Sequence, residues 1–175
     1  MSAATLPSAP RSASPASSPV AREGPTVSSG EIEFATFHVG RLLLGIDIRQ
    51  TEEINRQLDL TPVPHAPACV RGVVNLRGEV VTVLDLRNIL GLEPLALSAA
   101  SRNVVVRNES EQVGLLVDRV ADVVTVHPEE MEPPPANVSG VSGRFFKGVY
   151  KLESALLVVL DVETVLTTAG KDEND

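Results

Sequence analysis

The sequence contains few of the residues on which disulfide frameworks, aromatic binding sites and nucleic-acid interfaces depend. Among its 175 residues there are one Cys, no Trp and 3% aromatic residues, and 23 Asp and Glu stand against 15 Lys and Arg. The lone Cys69 excludes an intramolecular disulfide and is typical of a reducing compartment. The net charge of −8 argues against nucleic-acid binding, which relies on clustered Lys and Arg.

Long apolar runs are missing as well. No stretch approaches the roughly 20 apolar residues of a membrane helix, and the N-terminus lacks the apolar centre of a signal peptide. We therefore expect a cytoplasmic protein. Its length suits one domain, or two small ones that share a core. Because aromatic side chains are scarce, Val and Leu must build that core, which favours sheets.

No arrangement of residues predicts catalysis. The histidines, His38, His65 and His127, are far apart and lack the spaced partners of a metal site. We interpret Cys69 as a small buried residue, because no base motif accompanies it. The Ser-Gly pairs at 139–140 and 142–143 lack the strand–elbow–helix setting of a nucleophilic serine, and no Gly-rich phosphate loop is present. The sequence therefore predicts no enzymatic activity, no cofactor and no metal.

The stretch from residue 71 to 90 organises the chain, and its pattern returns once at an offset of 76 residues. It predicts a strand over 72–76, a tight turn at Arg77-Gly78, a strand over 79–84 and a helical turn over 86–90. Asp85 would cap that turn and Gly91 would end it. The identical positions of the repeat are Gly72/Gly148, Val73/Val149, Leu76/Leu152, Val83/Val159, Leu84/Leu160, Asp85/Asp161 and Leu90/Leu166.

The repeat predicts two similar β-rich halves and separates residues that serve the fold from residues that are freer to serve function. A weaker match pairs residues 45–48 with 114–117 in the same order. The shared Asp85 and Asp161 are better explained as helix caps than as a catalytic carboxylate pair. In contrast, Arg77 stands opposite Glu153 and Asn75 opposite Lys151, so these positions are candidates for a function of one half only.

The remaining segments complete a β-rich plan. Residues 1–30, rich in Ala, Ser and Pro, are predicted to be disordered, residues 31–168 form the folded domain, and residues 169–175 are an acidic frayed end. A linker near 92–102 divides the domain. Further strands are predicted over 31–39, 42–48, 103–107, 112–117, 121–126, 145–152 and 156–160, and an edge strand carries Glu52 and Glu53. The other predicted segments are a helical turn over 66–70, an exposed loop over 128–143 and a helix over 161–168 that Gly170 closes. About five strands per half favour two small closed barrels, because closure removes exposed edges.

The chain resembles the CheW family of chemotaxis coupling proteins over about residues 31–168. The motif Asn-Leu-Arg-Gly at 75–78 carries the resemblance most specifically. The other matching stretches are residues 34–37, 45–48, 53–54, 67–68, 72–73, 83–87, 117–118, 120–123 and 147–148.

The resemblance implies two tandem five-stranded SH3-like barrels packed together, with short helical turns and a short C-terminal helix. It also implies a non-enzymatic adaptor that links chemoreceptors to a CheA-type histidine kinase. In the family, a groove between the barrels receives the helical tip of the receptor, and the positions that match this contact are Glu53, Ile54, Asn75 and Arg77. The family's contact with the kinase's regulatory domain, at the barrel ends, maps to Arg71 and Asn103.

Alternative interpretations remain open at this point. One is a generic SH3-like peptide-binding scaffold in a related two-component complex, although such grooves usually need more aromatic residues. Another is a small enzyme, which a perturbed carboxylate in a pocket would support. Arg77 also has a structural alternative, in which it holds the hairpin against a carboxylate such as Glu53.

The composition of the N-terminal segment gives a first prediction. Deletion of residues 1–30 leaves the fold intact, because a segment with so little to bury adds little to stability. Thermal unfolding of the full chain and of the truncated chain checks this, and a large drop in the midpoint would contradict it.

Overall fold

The computed structural model describes residues 30–109 and 111–171. This part of the chain contains twelve strands, two α-helices and three single turns of 3-10 helix. The predicted tail, apart from Gly30, and residues 172–175 lie outside the described residues. The strands are β1 (Ile32–Val39), β2 (Leu42–Asp47), β3 (Thr51–Asn55), β4 (Val70–Leu76), β5 (Glu79–Asp85), β6 (Arg102–Asn108), β7 (Glu111–Val117), β8 (Arg119–Val126), β9 (Asn137–Val138), β10 (Val141–Ser142), β11 (Phe146–Lys151) and β12 (Leu156–Leu160). The helices are α1 (Leu86–Leu90) and α2 (Val162–Lys171).

Ten of the strands form two five-stranded sheets. The first sheet has the order β11-β12-β2-β1-β8, and the second has the order β3-β6-β7-β5-β4. The short β9 and β10 pair only with each other. The predicted all-β fold with two five-stranded SH3-like units is confirmed, and we call the units built on these sheets barrel A and barrel B.

Each barrel takes strands from both halves of the sequence. Barrel A combines β1 and β2 with β8, β11 and β12, while barrel B combines β6 and β7 with β3, β4 and β5. The exchanged hairpins are joined by equivalent parallel pairings, in which Gly45 lies beside Val159 and Gly114 lies beside Val83. The weak match between residues 45–48 and 114–117 therefore marks a structural equivalence. The two halves do not form separate barrels but exchange their first hairpins.

In each barrel, a pair of backbone hydrogen bonds links the first strand of the repeated hairpin to an earlier segment of the chain. A glycine lies directly beside each of these links. In barrel B, Thr61 and Val73 exchange two backbone hydrogen bonds of 2.9 Å. In barrel A, Glu132 and Val149 do the same at 2.9 Å. A Cβ on Gly72 would lie 2.6 Å from the Thr61 carbonyl oxygen, and one on Gly148 would lie 2.9 Å from that of Glu132. This close approach explains why the repeat keeps glycine and valine at these positions.

The largest core lies between the two sheets, and the central strands are buried on both faces. In β6, Val104 and Val106 face this shared core, whereas Val105 faces the interior of barrel B. In β12, Val158 and Leu160 face the shared core, whereas Leu157 and Val159 face the interior of barrel A. Successive strand residues point to opposite faces, so one strand serves two cores. This explains the nearly continuous Val and Leu runs, which a strand with one solvated face would not need.

The repeated aspartates cap helices as predicted. The Asp85 carboxylate accepts hydrogen bonds from the N–H groups of Arg87 (3.0 Å) and Asn88 (3.4 Å), and Gly91 ends α1 with φ of 75°. Asp161 accepts one from the N–H of Thr164 at 3.1 Å. The backbone N–H groups of Asp85 and Asp161 also donate to equivalent residues, Cys69 and Phe145, at 2.7 Å each. The two aspartates therefore belong to the fold and not to a reaction site.

Three local predictions were wrong. The expected helical turn over 66–70 is a simple turn in which the N–H of Val70 donates to the Pro67 carbonyl, because the strand already starts at Val70. The expected exposed loop over 128–143 contains β9 and β10, and it buries Val138 and Val141 against the shared core. Helix α2 continues to Lys171, so Gly170 does not end it.

The exchanged hairpins predict that the halves depend on each other. If the chain is cut after Leu95, in the exposed linker 93–100, neither fragment (1–95 or 96–175) should fold alone, because even the more complete barrel in each fragment would lack two of its five strands. Co-expressed fragments should assemble into the native fold. Circular dichroism and amide NMR spectra of the separate and combined fragments, with the uncut chain as the control, check this. A native-like spectrum from one fragment alone would contradict the exchange.

Candidate protein-interaction surface

The hairpin between β4 and β5 places Arg77 at its tip. Leu76 pairs with Glu79, so the loop has two residues, and both Arg77 (φ 53°) and Gly78 (φ 87°) have left-handed backbones. This geometry suits a tight hairpin, but arginine rarely adopts it. The Asn75 side chain supports the turn by accepting a hydrogen bond from the Gly78 N–H at 3.0 Å. Asn75 therefore stabilises the turn, although the repeat, which has Lys151 at the equivalent position, suggested that Asn75 is not needed for the fold.

Arg77 forms an ion pair with Glu53 across the two outer strands of barrel B. The distance between Arg77 Nη2 and Glu53 Oε2 is 3.2 Å, and the Arg77 side chain is 87% exposed. Glu53 is further fixed by a hydrogen bond of 2.6 Å from the Asn55 amide. The structure thus contains the contact that the structural alternative for Arg77 requires. Exposed ion pairs contribute only about 0–1 kcal/mol to stability, so this contact leaves Arg77 available to a partner.

Ile54 is exposed on the edge strand β3. It is 39% exposed and pairs with Val104, whereas Glu53 pairs with Val105. Because cross-strand neighbours share a face, Ile54 lies on the side of the shared core and Glu53 on the side of the barrel interior. The corresponding edge strand of barrel A, β8, exposes Val123 by 54%, beside Ala35 of β1. The sequence reading missed this valine, and the mapping of β8 onto β3 is the signal that identifies it.

The two residues assigned to a kinase contact lie in different environments. Arg71 has a side chain that is 35% exposed and contacts Asp85 at 3.3 Å, so it supports the cap of α1. Asn103 is fully buried, and a Cβ on Gly114 would lie 2.2 Å from its Oδ1 atom. Within residues 30–109 and 111–171, neither amide atom of Asn103 has a hydrogen-bond partner. The assignment of Asn103 to direct partner contact was wrong, because the side chain has no access to the surface.

A partly buried ion pair between Arg87 and Asp118 joins the two barrels. Arg87 follows β5 of barrel B and donates through Nε (2.8 Å) and Nη2 (2.5 Å) to the Asp118 carboxylate, which precedes β8 of barrel A. The Gly40 N–H, between β1 and β2, donates to the same carboxylate at 2.7 Å. Burial, the largest influence, raises the pKa of Asp118, but the hydrogen bonds from Arg87 and Gly40 together hold this pKa below its ordinary value.

The described residues show no constellation for chemistry or membrane insertion. In residues 30–109 and 111–171, no group of three or more His, Cys, Asp and Glu side chains converges as metal ligands would. No helix in the same residues is long and apolar enough to cross a bilayer.

Comparisons with known proteins identify the family. The profile described as "CheW-like domain" matches residues 33–170, and the chain belongs to this family. It is 30% identical over 146 residues to the chemotaxis protein CheW of Treponema pallidum, covering 81% of this chain and 86% of that protein. It is 32% identical over 146 residues to the CheW of Rhizobium meliloti, covering 83% and 94%.

A solved structure agrees with this assignment. The scaffolding protein TtCheW of Thermoanaerobacter tengcongensis superposes with a TM-score of 0.71 at 27% identity, and the match covers 77% of this chain and 86% of that one. The chain is therefore a chemotaxis scaffold protein and not an enzyme.

The ion pair of Arg87 with Asp118 predicts a difference in stability between wild type and variant that depends on pH. Asp118→Asn should lower the free energy of unfolding at pH 7 by about 1–2 kcal/mol, because Arg87 loses its charged acceptor. The folded-state pKa of Asp118 is depressed, so its contribution is complete above the unfolded pKa of about 4 and disappears as the pH falls through the folded pKa. The stability gap between wild type and variant should therefore close in acid.

Denaturant titrations between neutral and acid pH measure this gap. Glu52→Gln is the matched control, because Glu52 also pairs with an arginine, Arg107, but on the open surface; its effect at pH 7 should be much smaller. A gap for Asp118→Asn that is constant with pH, or no larger than that of the control, would contradict the role of this ion pair.

Proposed function

We propose that the protein couples chemoreceptors to a CheA-type histidine kinase in the cytoplasm, as an adaptor that holds both partners at a fixed separation. The single observation that supports the receptor contact most strongly is the exposed Arg77, held at the hairpin tip by a left-handed turn and by Glu53. Its repeat counterpart in barrel A is the acidic Glu153. A residue required by the fold of both barrels would not reverse its charge.

The receptor contact has an apolar part and a charged part. Ile54 on β3 and Val123 on β8 offer exposed apolar area beside the shared core, as a contact with an apolar helical tip requires. Burial of such anchors supplies most of the affinity of a protein interface. Arg77 and Glu53 add register and selectivity, because a guanidinium offers a rigid fork of donors on an apolar stem. In this proposal Asn75 acts indirectly, by holding the turn that presents Arg77.

The kinase contact is proposed at a different place. Arg71 lies near the start of β4, six positions before Arg77, which follows the end of that strand; six extended residues span about 20 Å. Arg71 is partly exposed and sits at the start of β4, beside the cap of α1. Two contacts at opposite ends of one strand would transmit a displacement between receptor and kinase without any conformational switch inside the adaptor.

Arg77→Glu tests the receptor contact. The substitution should weaken binding of a receptor's cytoplasmic helical hairpin at least about tenfold, because it places two acids side by side and removes the donor fork. The free energy of unfolding should change by no more than about 1 kcal/mol, and kinase binding should persist. Titration calorimetry with the receptor fragment, pull-down of the kinase and denaturant unfolding are measured on one preparation.

Lys151→Glu is the matched control for receptor binding. Lys151 also forms an exposed ion pair, with Glu132 at 3.3 Å, at the end of the corresponding strand of barrel A. Its charge reversal should leave receptor affinity unchanged. Wild-type receptor affinity in Arg77→Glu would refute the proposed contact, and loss of both partners together with a lowered unfolding midpoint would show that Arg77 is structural.

A further inference from the structure

A second surface feature, a groove of about 560 Å³, lies between barrel B and helix α2 and is not used by the proposed receptor contact. Its floor is apolar, formed by Leu84 and Val113 of the sheet and by Leu166 and Ala169 of the helix. One wall is the loop around Val63, which is 41% exposed. This volume falls within the range of sites that hold a ligand or a short peptide segment.

The wall of the groove is held in shape by its backbone. His65 has a left-handed backbone (φ 61°) and lies between Pro64 and Pro67, both of which line the groove. Two prolines fix two φ angles, so this wall loses little conformational freedom when an occupant binds. The loop that forms this wall is therefore stiff at Pro64 and Pro67.

The charge around the groove selects a cationic occupant. The described residues that line it include Glu111 but no Lys or Arg. By contrast, the groove beside Phe34 at the start of barrel A is lined by two cations, Arg49 and Lys147, and by one acid, Asp47, which pairs with Arg49. An apolar segment that carries an arginine would match the first groove and not the second.

The chain itself contains such a segment outside the described residues. Residues 1–29 contain Arg11 and Arg22 but only one acid, Glu23, so this part is cationic while the rest of the chain carries the acidic excess. Residues 6–11 read Leu-Pro-Ser-Ala-Pro-Arg, in which an apolar side chain and an arginine flank two prolines. Prolines lower the entropy that such a segment loses on binding.

The tail is long enough to reach the groove. Arg11 is 19 residues from Gly30, where the described chain begins, and a flexible chain of that length spans about 25 Å on average. A domain of this size has a radius of gyration of about 14 Å. A tether of matching length gives an effective concentration of about 1 mM, so even a contact with a Kd of about 1 mM would be formed in about half of the molecules.

We propose that residues 6–11 of the chain's own N-terminal tail dock in this groove, with Leu6 on the apolar floor and Arg11 beside Glu111. The docked tail covers a surface that is distinct from the tip of the β4–β5 hairpin. The contact is weak and reversible, so it agrees with the prediction that deletion of the tail leaves the fold intact. It is also partly electrostatic, so it weakens as salt concentration rises.

Paramagnetic relaxation in the full-length chain tests the docking. A nitroxide on Ser12→Cys should broaden the amide signals of Val63, Val113 and Leu166 at least about twofold more than those of Arg49 and Lys147, as expected for a half-populated contact. The label reacts at the new cysteine, because Cys69 is fully buried. Equal broadening at both grooves, or none at the first, would overturn the proposal.

Charge reversals separate this contact from general attraction between the tail and the acidic domain. Arg11→Glu and Glu111→Lys should each abolish the selective broadening, and the double variant should restore it. Arg22→Glu is the matched control and should leave the broadening unchanged, whereas an equal loss in Arg22→Glu would overturn the assignment of the segment.

A mixed sample identifies docking between copies. It combines protein that carries the nitroxide but no ¹⁵N with ¹⁵N-enriched protein that carries no nitroxide. Selective broadening in that mixture would overturn the intramolecular version.

Discussion

The fold depends on the exchange of hairpins between the two halves of the sequence. Because β1 and β2 complete barrel A while β6 and β7 complete barrel B, neither half contains a closed unit. The central strands must then serve a barrel interior on one face and the shared core on the other, which requires Val and Leu at nearly every position. The ion pair of Arg87 with Asp118 lies beside this crossing and fixes one barrel against the other. A scaffold gains rigidity from this plan, since its barrels share a core and do not hinge on a linker.

The repeat also shows where the barrels are free to differ. Gly72 and Gly148 are fixed by a crossing backbone, and Asp85 and Asp161 by helix caps. Arg77 and Glu153 face no such requirement, and the exposed pair of Arg77 with Glu53 contributes little to stability. The protein can therefore carry different surfaces on two similar barrels. The two barrels share the residues that build the core but differ in exposed residues such as Arg77 and Glu153. We therefore propose that these exposed residues contact partners.

Much of the fold follows from sequence, because the repeat, the hairpin turn at Arg77-Gly78 and the caps at Asp85 and Asp161 are local signals. The exchange of hairpins did not follow, since pairing of β2 with β12 and of β5 with β7 depends on contacts far apart in the chain. The receptor-contact residues stay predictions: Glu53 and Arg77 form an ion pair, and Ile54 follows Glu53 on the edge strand β3. Asn103 is buried inside a barrel, which its polar character alone does not reveal. Val123 was missed because an exposed valine looks like any other strand residue.

In the proposed function, Arg77 is held by Glu53 but is used by a partner. Exchange of the two charges, in Glu53→Arg/Arg77→Glu, tests it most directly, because the ion pair is retained with its direction reversed. Affinity for a receptor's helical hairpin is measured by calorimetry beside the free energy of unfolding. If a partner uses Arg77, stability should return to the wild-type value while receptor affinity remains at least about tenfold reduced. Recovery of both stability and receptor affinity in the charge-swapped protein would contradict a partner contact of Arg77, because the pair would then act only within the fold.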